Sequence, residues 1–199
     1  MPEKTPDIAA LVGSRICHDL TSPLGAIGNG LELLEMSGSC GGPELALIRE
    51  SVESANARIR FFRVAYGRSD GGQALAQQEI TAIVTGMTKG SRISIDWAPD
   101  GAQARREVRL AFLLIQCLET ALPYGGEIRV ERIRGTWHLT GRGEKMKIEP
   151  PVWELLITGG EGVDVTPAQV QFLMVAESAR RMGRRVQTRL GEKEIGLSF

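Results

Sequence analysis

The sequence predicts an α+β protein in which an N-terminal antiparallel helical hairpin precedes a mixed α/β sandwich. Three observations lead to this prediction. Apolar residues recur every three or four positions up to about residue 66, a glycine-rich polar stretch follows at 67–72, and segments typical of strands and helices share the remainder. Because these later segments do not alternate regularly, we expect helices on one face of a mixed sheet.

The composition restricts the class of protein. The 199 residues include 24 basic and 24 acidic side chains, so no excess charge indicates a nucleic acid or an anionic membrane as a partner. The chain does not begin with a basic segment followed by an apolar run, and no stretch approaches the ~20 apolar residues of a membrane span. The cysteines Cys17, Cys40 and Cys117 form no CxxC pair, which is typical of reduced thiols. We therefore expect a cytoplasmic protein.

Two helices form the predicted hairpin. The first covers about residues 7–36, with Asp7 as its N-cap, and Gly38 with Gly41–Gly42 interrupts the pattern at its far end. Pro43 begins the second helix, at a position where proline is tolerated. Each helix has a regular apolar seam, formed by Leu20, Leu24, Ile27, Leu31 and Leu34 in the first and by Leu45, Ile48, Val52, Ala55, Ile59, Phe62 and Tyr66 in the second.

A single hairpin cannot bury both seams, and the first helix has further apolar residues at Ile8, Leu11 and Val12. We expect a second copy of the chain to cover them, which gives a homodimer with a four-helix bundle. The alternative is that the hairpin packs on the C-terminal half of its own chain. The glycine-rich stretch at 67–72 predicts the domain boundary, with domains at 1–70 and 71–199.

The second domain contains both strands and helices. We expect helices at about 77–88, 103–122, 150–157 and 166–182, and strands at about 92–97, 127–132, 136–139, 185–189 and 194–199. Trp97, Trp137 and Trp153 are expected to pack in the core or the sheet. His138 lies in a predicted strand, where a packed or surface histidine is the expected outcome.

His18 lies outside the apolar seam of the first helix. It follows a second line along the helix whose other residues are polar or small, namely Ser14, Arg15, Ser22, Gly25 and Asn29. A neutral imidazole, whose unperturbed pKa is about 6.5, can attack a phosphoryl group and form a phosphoramidate. Asp19 can keep the proton on the other ring nitrogen, and Ser22 can hydrogen-bond the phosphoryl oxygens. This pattern predicts nucleophilic chemistry at His18.

Other roles for His18 remain open from the residues alone. An isolated helix histidine is often structural or simply exposed. A metal pair is disfavoured because no second histidine or cysteine follows at i+3 or i+4, and a serine hydrolase because the chain has no G-x-S-x-G turn. Arg15, one turn before His18, can contact a phosphoryl group, and a solvated arginine is the alternative.

The segment HDLTSPL at 18–24 resembles the phospho-acceptor box of sensor histidine kinases, H-[ED]-x-x-[ST]-P-L. More closely, HDLTSPLGAIGNGLELLE at 18–35 resembles the ChpT-type histidine phosphotransferases of alphaproteobacterial phosphorelays. That family implies a dimeric hairpin followed by a domain like the histidine-kinase ATPase. It also implies that His18 takes a phosphoryl group from one response-regulator receiver and passes it to another, with Asp19 as the neighbouring acid and Ser22 as the hydroxyl. The receiver is expected to dock around Ser22, Gly25 and Asn29 and on the adjoining face of the second helix.

The second domain departs from the kinase pattern at its nucleotide motifs. The N-x-x-x-N-A segment that holds Mg²⁺ corresponds to 116–121, QCLETA, where both asparagine positions are replaced, although Glu119 can offer an oxygen. The D-x-G-x-G loop falls at 139–143, with Leu139 in place of the aspartate that binds adenine, and the phosphate loop has no counterpart. We therefore expect no ATP binding and no cofactor in this chain, with Mg²⁺ supplied by the receiver. The alternatives are a divergent ATP-dependent sensor histidine kinase core and a non-catalytic kinase inhibitor or scaffold.

Overall fold

The computed structural model describes residues 7–37, 42–67, 72–158 and 164–199. Helix α1 spans Ile8–Ser37 and α2 spans Pro43–Ala65, and the two pack side by side as the predicted hairpin. The backbone N–H of Ala10 donates to Oδ1 of Asp7 at 3.1 Å, which confirms the N-cap, and Pro43 is the first residue of α2. Helix α1 continues through Pro23, whereas Gly38 and Gly41 lie outside the described residues.

The remainder of the chain follows the predicted elements within a few residues and adds two short strands. In chain order they are β1 Ala74–Leu75, α3 Gln77–Thr88, β2 Ile93–Trp97, β3 Gln103–Ala104, α4 Arg105–Ala121, β4 Gly126–Ile133, β5 Thr136–Arg142, α5 Pro150–Thr158, α6 Val170–Arg181, β6 Gln187–Leu190 and β7 Glu194–Ser198. The helix expected from Thr166 begins instead as a 3₁₀ turn at Pro167–Gln169. Gln169 folds its side chain back onto Thr166, and α6 begins one residue after that capping box.

The main sheet has five strands in the order β2-β4-β5-β7-β6. Strands β2 and β4 run parallel, joined across α4, while the other neighbours are antiparallel. Strands β1 and β3 pair separately, in antiparallel fashion. The structure thus confirms the predicted mixed sheet and the tight β4–β5 hairpin, in which Arg134 and Gly135 both have positive φ.

Helices cover one face of this sheet. Buried and exposed residues alternate along β4 and β5, and Ile128, Val130, Trp137 and Leu139 point into the core. Helix α4 is buried around most of its circumference, including the run 110–115, because it lies among the sheet, α2 and α6. All three tryptophans are buried, as predicted. His138 is partly buried on the other face of the sheet, paired in register with Glu131 and Ser198.

The hairpin is attached to this core at one end. Phe61 of α2 stacks on Phe112 of α4 with ring centroids 4.5 Å apart, and the early α1 residues Ile8, Leu11 and Val12 pack against the same core. Those three residues therefore do not need a second copy of the chain to cover them. The expectation that they require a dimer is corrected, because the hairpin packs partly on the C-terminal half of its own chain.

Farther along the hairpin, part of the predicted seam is not buried within one chain. Leu24 is 58% exposed and Leu31 is 51% exposed, and Val52 and Ile59 of α2 are also exposed. Two helices cover only the faces they turn toward each other, so the outer part of each seam stays open. In the ranges the structure describes, no helix is long and apolar enough to cross a membrane.

Candidate functional site

His18 lies in α1 just beyond the helix's packed first turns, on the open side of the helix. Its side chain is 86% exposed, and Ser14, Ser22, Gly25 and Asn29 on the same line are exposed as well. The apolar residues at the start of α1 pack toward the core, and this fixes which side of the helix, and therefore which side chains, face solvent. The structure therefore confirms that a histidine is presented to solvent on a polar, small-residue face.

The Asp19 carboxylate sets the proton position on this imidazole. Nδ1 of His18 lies 3.1 Å from Oδ1 of Asp19, whose side chain is only 13% exposed. An ionised carboxylate can only accept a hydrogen bond, so Nδ1 carries the proton in the neutral ring. Nε2 then keeps its lone pair and faces solvent, which is the arrangement that a nucleophilic imidazole requires.

Arg15 does not extend into solvent with the rest of its line. Its Nε donates to Oδ2 of Asp19 at 2.7 Å, and its Nη1 donates to the backbone carbonyl of Ala168 at 2.7 Å. The Arg15 side chain is 17% exposed. In this structure the guanidinium is bonded to Asp19 and to Ala168 of the same chain. Contact between Arg15 and a partner's phosphoryl group stays a prediction from the sequence.

Helix α4 contributes a further acidic group to this region. Glu119 is partly buried, and burial raises the pKa of its carboxyl to about 7, while the positive charges of Arg15 and Arg58 act to lower it. The neighbouring Cys117 thiol is buried, and burial raises its pKa well above the ordinary value. Cys17 on α1 is exposed with a free thiol, and Cys40 lies outside the described residues.

Ser22, Gly25 and Asn29 continue the exposed line beyond His18. A Cβ placed on Gly25 meets no atom of the chain within 4 Å, so the helix surface is open there. The three positions lie together with His18 on one side of α1, as their spacing predicts. Two groups in this region were not linked to His18 from the sequence: the Glu119 carboxyl on α4 and the backbone carbonyl of Ala168 in the turn before α6. From the sequence, Glu119 was considered only as a possible oxygen ligand for a metal ion. No residue type predicts that a particular backbone carbonyl, such as that of Ala168, will be used.

Two positions of the kinase nucleotide motifs, Gln116 and Leu139, are buried. Gln116 is 1% exposed, and its Oε1 accepts a hydrogen bond from the Tyr66 hydroxyl at 2.9 Å. Leu139 is 0% exposed in the middle of β5. Within the described ranges no group of three or more histidine, cysteine or acidic side chains is arranged to hold a metal ion. These side chains do not fit a Mg²⁺-nucleotide site, because the Gln116 oxygen is already bonded to Tyr66 and Leu139 has no polar side-chain atom.

Comparisons with known proteins relate this chain to phosphotransferases. The histidine phosphotransferase C-terminal domain family matches residues 77–194. The chain is 32% identical over 185 residues to protein phosphotransferase ChpT of Brucella abortus (strain 2308), which covers 87% of each protein. A solved structure of a bacterial phosphotransferase has a TM-score of 0.78 at 28% identity and covers 98% of each chain. The histidine kinase AdeS of Acinetobacter baumannii has a TM-score of 0.44 at 12% identity, over 91% of this chain and 95% of that chain.

Proposed function

This chain belongs to the histidine phosphotransferase family, and from that premise we propose that His18 is the residue that carries the phosphoryl group. The family gives the activity, phosphotransfer through a histidine within a phosphorelay. The observation that supports His18 is its geometry, in which an imidazole with an 86% exposed side chain has its Nδ1 held by a mostly buried carboxylate. Asp19 is the neighbouring acid in this proposal, and Ser22 is the hydroxyl available to the phosphoryl oxygens.

The first half-reaction takes the phosphoryl group from an aspartyl phosphate of a receiver. The lone pair of His18 Nε2 attacks phosphorus, the N–P bond forms, and the P–O bond to the receiver breaks. The receiver carboxylate leaves with that electron pair, and no proton needs to move. Because Nδ1 keeps its proton, the phosphorylated ring is cationic, and the Asp19 carboxylate at 3.1 Å stabilises this charge.

The second half-reaction reverses these steps with a different receiver. A carboxylate oxygen of its aspartate attacks the phosphorus of phospho-His18, the N–P bond breaks, and the neutral imidazole is restored with its proton on Nδ1. The proposal assigns Mg²⁺ to the acidic pocket of each receiver, so this chain supplies the nucleophile and the docking surface. These roles fit a cytoplasmic protein whose partners are response-regulator receivers.

The receiver docks, in this proposal, on the exposed line of α1 and the adjoining face of α2. Ser22, Gly25 and Asn29 extend this line away from the core-packed end of the hairpin. Gly25 allows a partner backbone to approach closely because no Cβ projects there. A receiver centred on this line can also reach His18, because His18 lies on the same side of α1.

We propose that the open part of the hairpin is covered by a second copy of the chain. Its exposed apolar side chains include Leu24, Leu31, Leu45, Val52 and Ile59. Exposed apolar side chains along two adjacent helices are typical of a surface that is buried in a four-helix bundle. The exposed outer part of the two seams therefore supports the predicted homodimer, although the first turns of α1 pack on the chain's own core.

We propose further that the C-terminal domain binds no ATP. The family favours the phosphotransferase over the kinase alternative. The side chains at the motif positions support the same conclusion, since Gln116 is bonded to Tyr66 and Leu139 is buried in the sheet. The chain therefore obtains its phosphoryl group from a protein donor.

Incubation with a phosphorylated receiver tests the assignment of His18. We expect acid-labile phosphate on the wild-type chain and none on His18→Ala. The matched control is His138→Ala, because the chain has only two histidines and His138 lies on the outer face of the sheet. Phosphate retained by His18→Ala contradicts the assignment, and a chain that never takes phosphate but still blocks a kinase supports the inhibitor alternative.

A further inference from the structure

Arg15, one turn before His18 on α1, connects the two halves of the chain. Its two contacts involve different nitrogens, with Nε on Asp19 Oδ2 and Nη1 on the carbonyl of Ala168, each at 2.7 Å. The second contact joins positions 153 residues apart in the sequence. With 17% of its side chain exposed, Arg15 has little surface left for a docking partner.

Both oxygens of Asp19 are engaged as a result. Oδ1 contacts Nδ1 of His18 and Oδ2 contacts Nε of Arg15. A carboxylate held at both oxygens cannot rotate about its terminal bond, so the direction of the Oδ1 lone pairs is fixed. Without Arg15, this mostly buried carboxylate loses its compensating charge, and rotation toward solvent becomes favourable.

The Ala168 carbonyl is itself held firmly. It accepts a second hydrogen bond from Nε2 of Gln171 at 3.1 Å, and Gln171 is 0% exposed. The same amide nitrogen lies 2.9 Å from Oγ1 of Thr120 on α4. On the other side of the turn, Gln169 Nε2 donates to Glu149 at 2.7 Å. The acceptor for Arg15 is therefore tied to α4 and α6 and does not move independently of the domain.

We propose that Arg15 is a positioning residue for phosphotransfer, held by the C-terminal domain through the Ala168 carbonyl, and that it fixes Asp19 against Nδ1 of His18. This inference rests on the proposed role of His18 as the acceptor. It gives the C-terminal domain a part in the chemistry that needs no nucleotide. The domain orients the acid that keeps the nucleophilic ring nitrogen unprotonated.

The residue type at this position follows from the geometry. A guanidinium offers donors on separate nitrogens in a fixed plane, so it can bind a carboxylate and a carbonyl that lie in different directions. A lysine has one nitrogen and must reach both acceptors from a single point. Arg15→Lys is therefore expected to preserve the charge beside Asp19 and to weaken the link to Ala168.

Two measurements separate positioning from direct contact with the receiver's phosphoryl group. The first is the maximal rate and half-saturating receiver concentration of transfer from a phosphorylated receiver. The second is the tautomer of His18 in the receiver-free protein, from imidazole ¹⁵N chemical shifts. The variants are Arg15→Gln, Arg15→Lys and Asp19→Asn, with Arg181→Gln as the matched control, since Arg181 forms an i,i+4 pair with Glu177 on α6.

We expect Arg15→Gln to lower the maximal rate about tenfold or more, with a change of less than about threefold in the half-saturating concentration. The His18 signals should shift from the Nδ1–H toward the Nε2–H tautomer, with Arg15→Lys in between and Arg181→Gln unchanged. The double variant with Asp19→Asn should be no slower than Asp19→Asn alone, because the two residues act as one unit.

Unchanged His18 signals with a slower rate overturn the proposal in favour of direct contact, and an unchanged rate overturns it outright. Gln171→Met provides an independent variant if Arg15→Gln does not fold. It removes one of the bonds that hold Ala168 while leaving α1 intact, and it should shift the His18 signals in the same direction. Failure of the proposed function is seen separately, as phosphate that persists on His18→Ala.

Discussion

The hydroxyl of Tyr66, at the end of α2, donates a hydrogen bond to Oε1 of Gln116 on α4 at 2.9 Å. Burial raises the pKa of Tyr66 to about 12, so this hydroxyl remains a protonated donor at any physiological pH. Gln116 occupies the first asparagine position of the kinase N-x-x-x-N-A segment. The hairpin therefore engages the side chain that corresponds to a metal ligand in the kinases.

This arrangement predicts that Mg²⁺-ATP does not bind the chain at millimolar concentrations. Calorimetric titration of the full chain with ATP and Mg²⁺ should give no heat of binding, and radiolabelled ATP should leave no phosphate on His18. A sensor histidine kinase titrated in parallel serves as the positive control. Micromolar affinity together with autophosphorylation would establish the divergent-kinase alternative.

Gly25 provides a test of the docking surface. Gly25→Gln adds a side chain about 20° around the helix from His18 at 100° per residue, where no atom of the chain lies within 4 Å. We expect the half-saturating receiver concentration to rise about tenfold, while the helix becomes no less stable because glycine is a poor helix former. Transfer rates measured over a range of receiver concentrations check this.

The matched control for that surface is Gly13→Gln. Gly13 is also exposed on α1, and a Cβ added there meets nothing within 4 Å, but it lies about 140° around the helix from His18. The variant should bind receiver like the wild type. Equal effects of the two substitutions would show that the receiver does not dock along the line through Gly25.

Leu31 tests the proposed homodimer. Leu31→Asp places a charge on the 51% exposed outer seam of α1, and burial of an unpaired charge in a dimer interface is unfavourable. We expect the variant to sediment as a monomer at concentrations where the wild type is a dimer. Ile157→Asp is the control, since Ile157 is 65% exposed on α5, outside the hairpin. This variant should sediment with the same dimer mass as the wild type. A monomeric wild type would refute the dimer directly.

The raised pKa of Glu119 predicts that the free energy of unfolding depends on pH. Burial raises the pKa of its carboxyl from 4.5 to about 7, so the folded state holds this proton more tightly than the unfolded state. The stabilising contribution is complete below pH 4.5 and is lost as the pH rises through about 7. Arg15, Arg58 and Asp19 are the charged groups that act on it.

Glu119→Gln should remove this dependence. Relative to the wild type, the variant should gain on the order of 1–2 kcal/mol in the free energy of unfolding between pH 5 and pH 8, allowing for the partial exposure of Glu119. Urea unfolding at equal protein concentration over that pH range measures the difference. A difference that stays constant with pH would show that Glu119 is ionised throughout.

Much of the fold was predictable because its signals are local. Helical periodicity gave the extent of α1 and the exposed line of His18, since residues three and four apart share a face whatever else the chain does. Alternation and turn residues gave the β4–β5 hairpin and the final β6–β7 pair. The glycine-rich stretch at 67–72 remains the predicted domain boundary, although the last turns of α2 contribute Phe61 and Phe62 to the core of the following half.

The sequence by itself determined that His18 stands on an open helix face with a carboxylate beside it, because neighbours on a helix are fixed by its pitch. Only the tertiary structure decided which way Arg15 turns. On the helix it shares the exposed line of His18, yet its long side chain reaches Asp19 and a carbonyl 153 positions away. Every residue has such a carbonyl, so no residue type marks Ala168. Its position within reach of Arg15 depends on how the turn before α6 packs against α1, and that packing is set by the whole core.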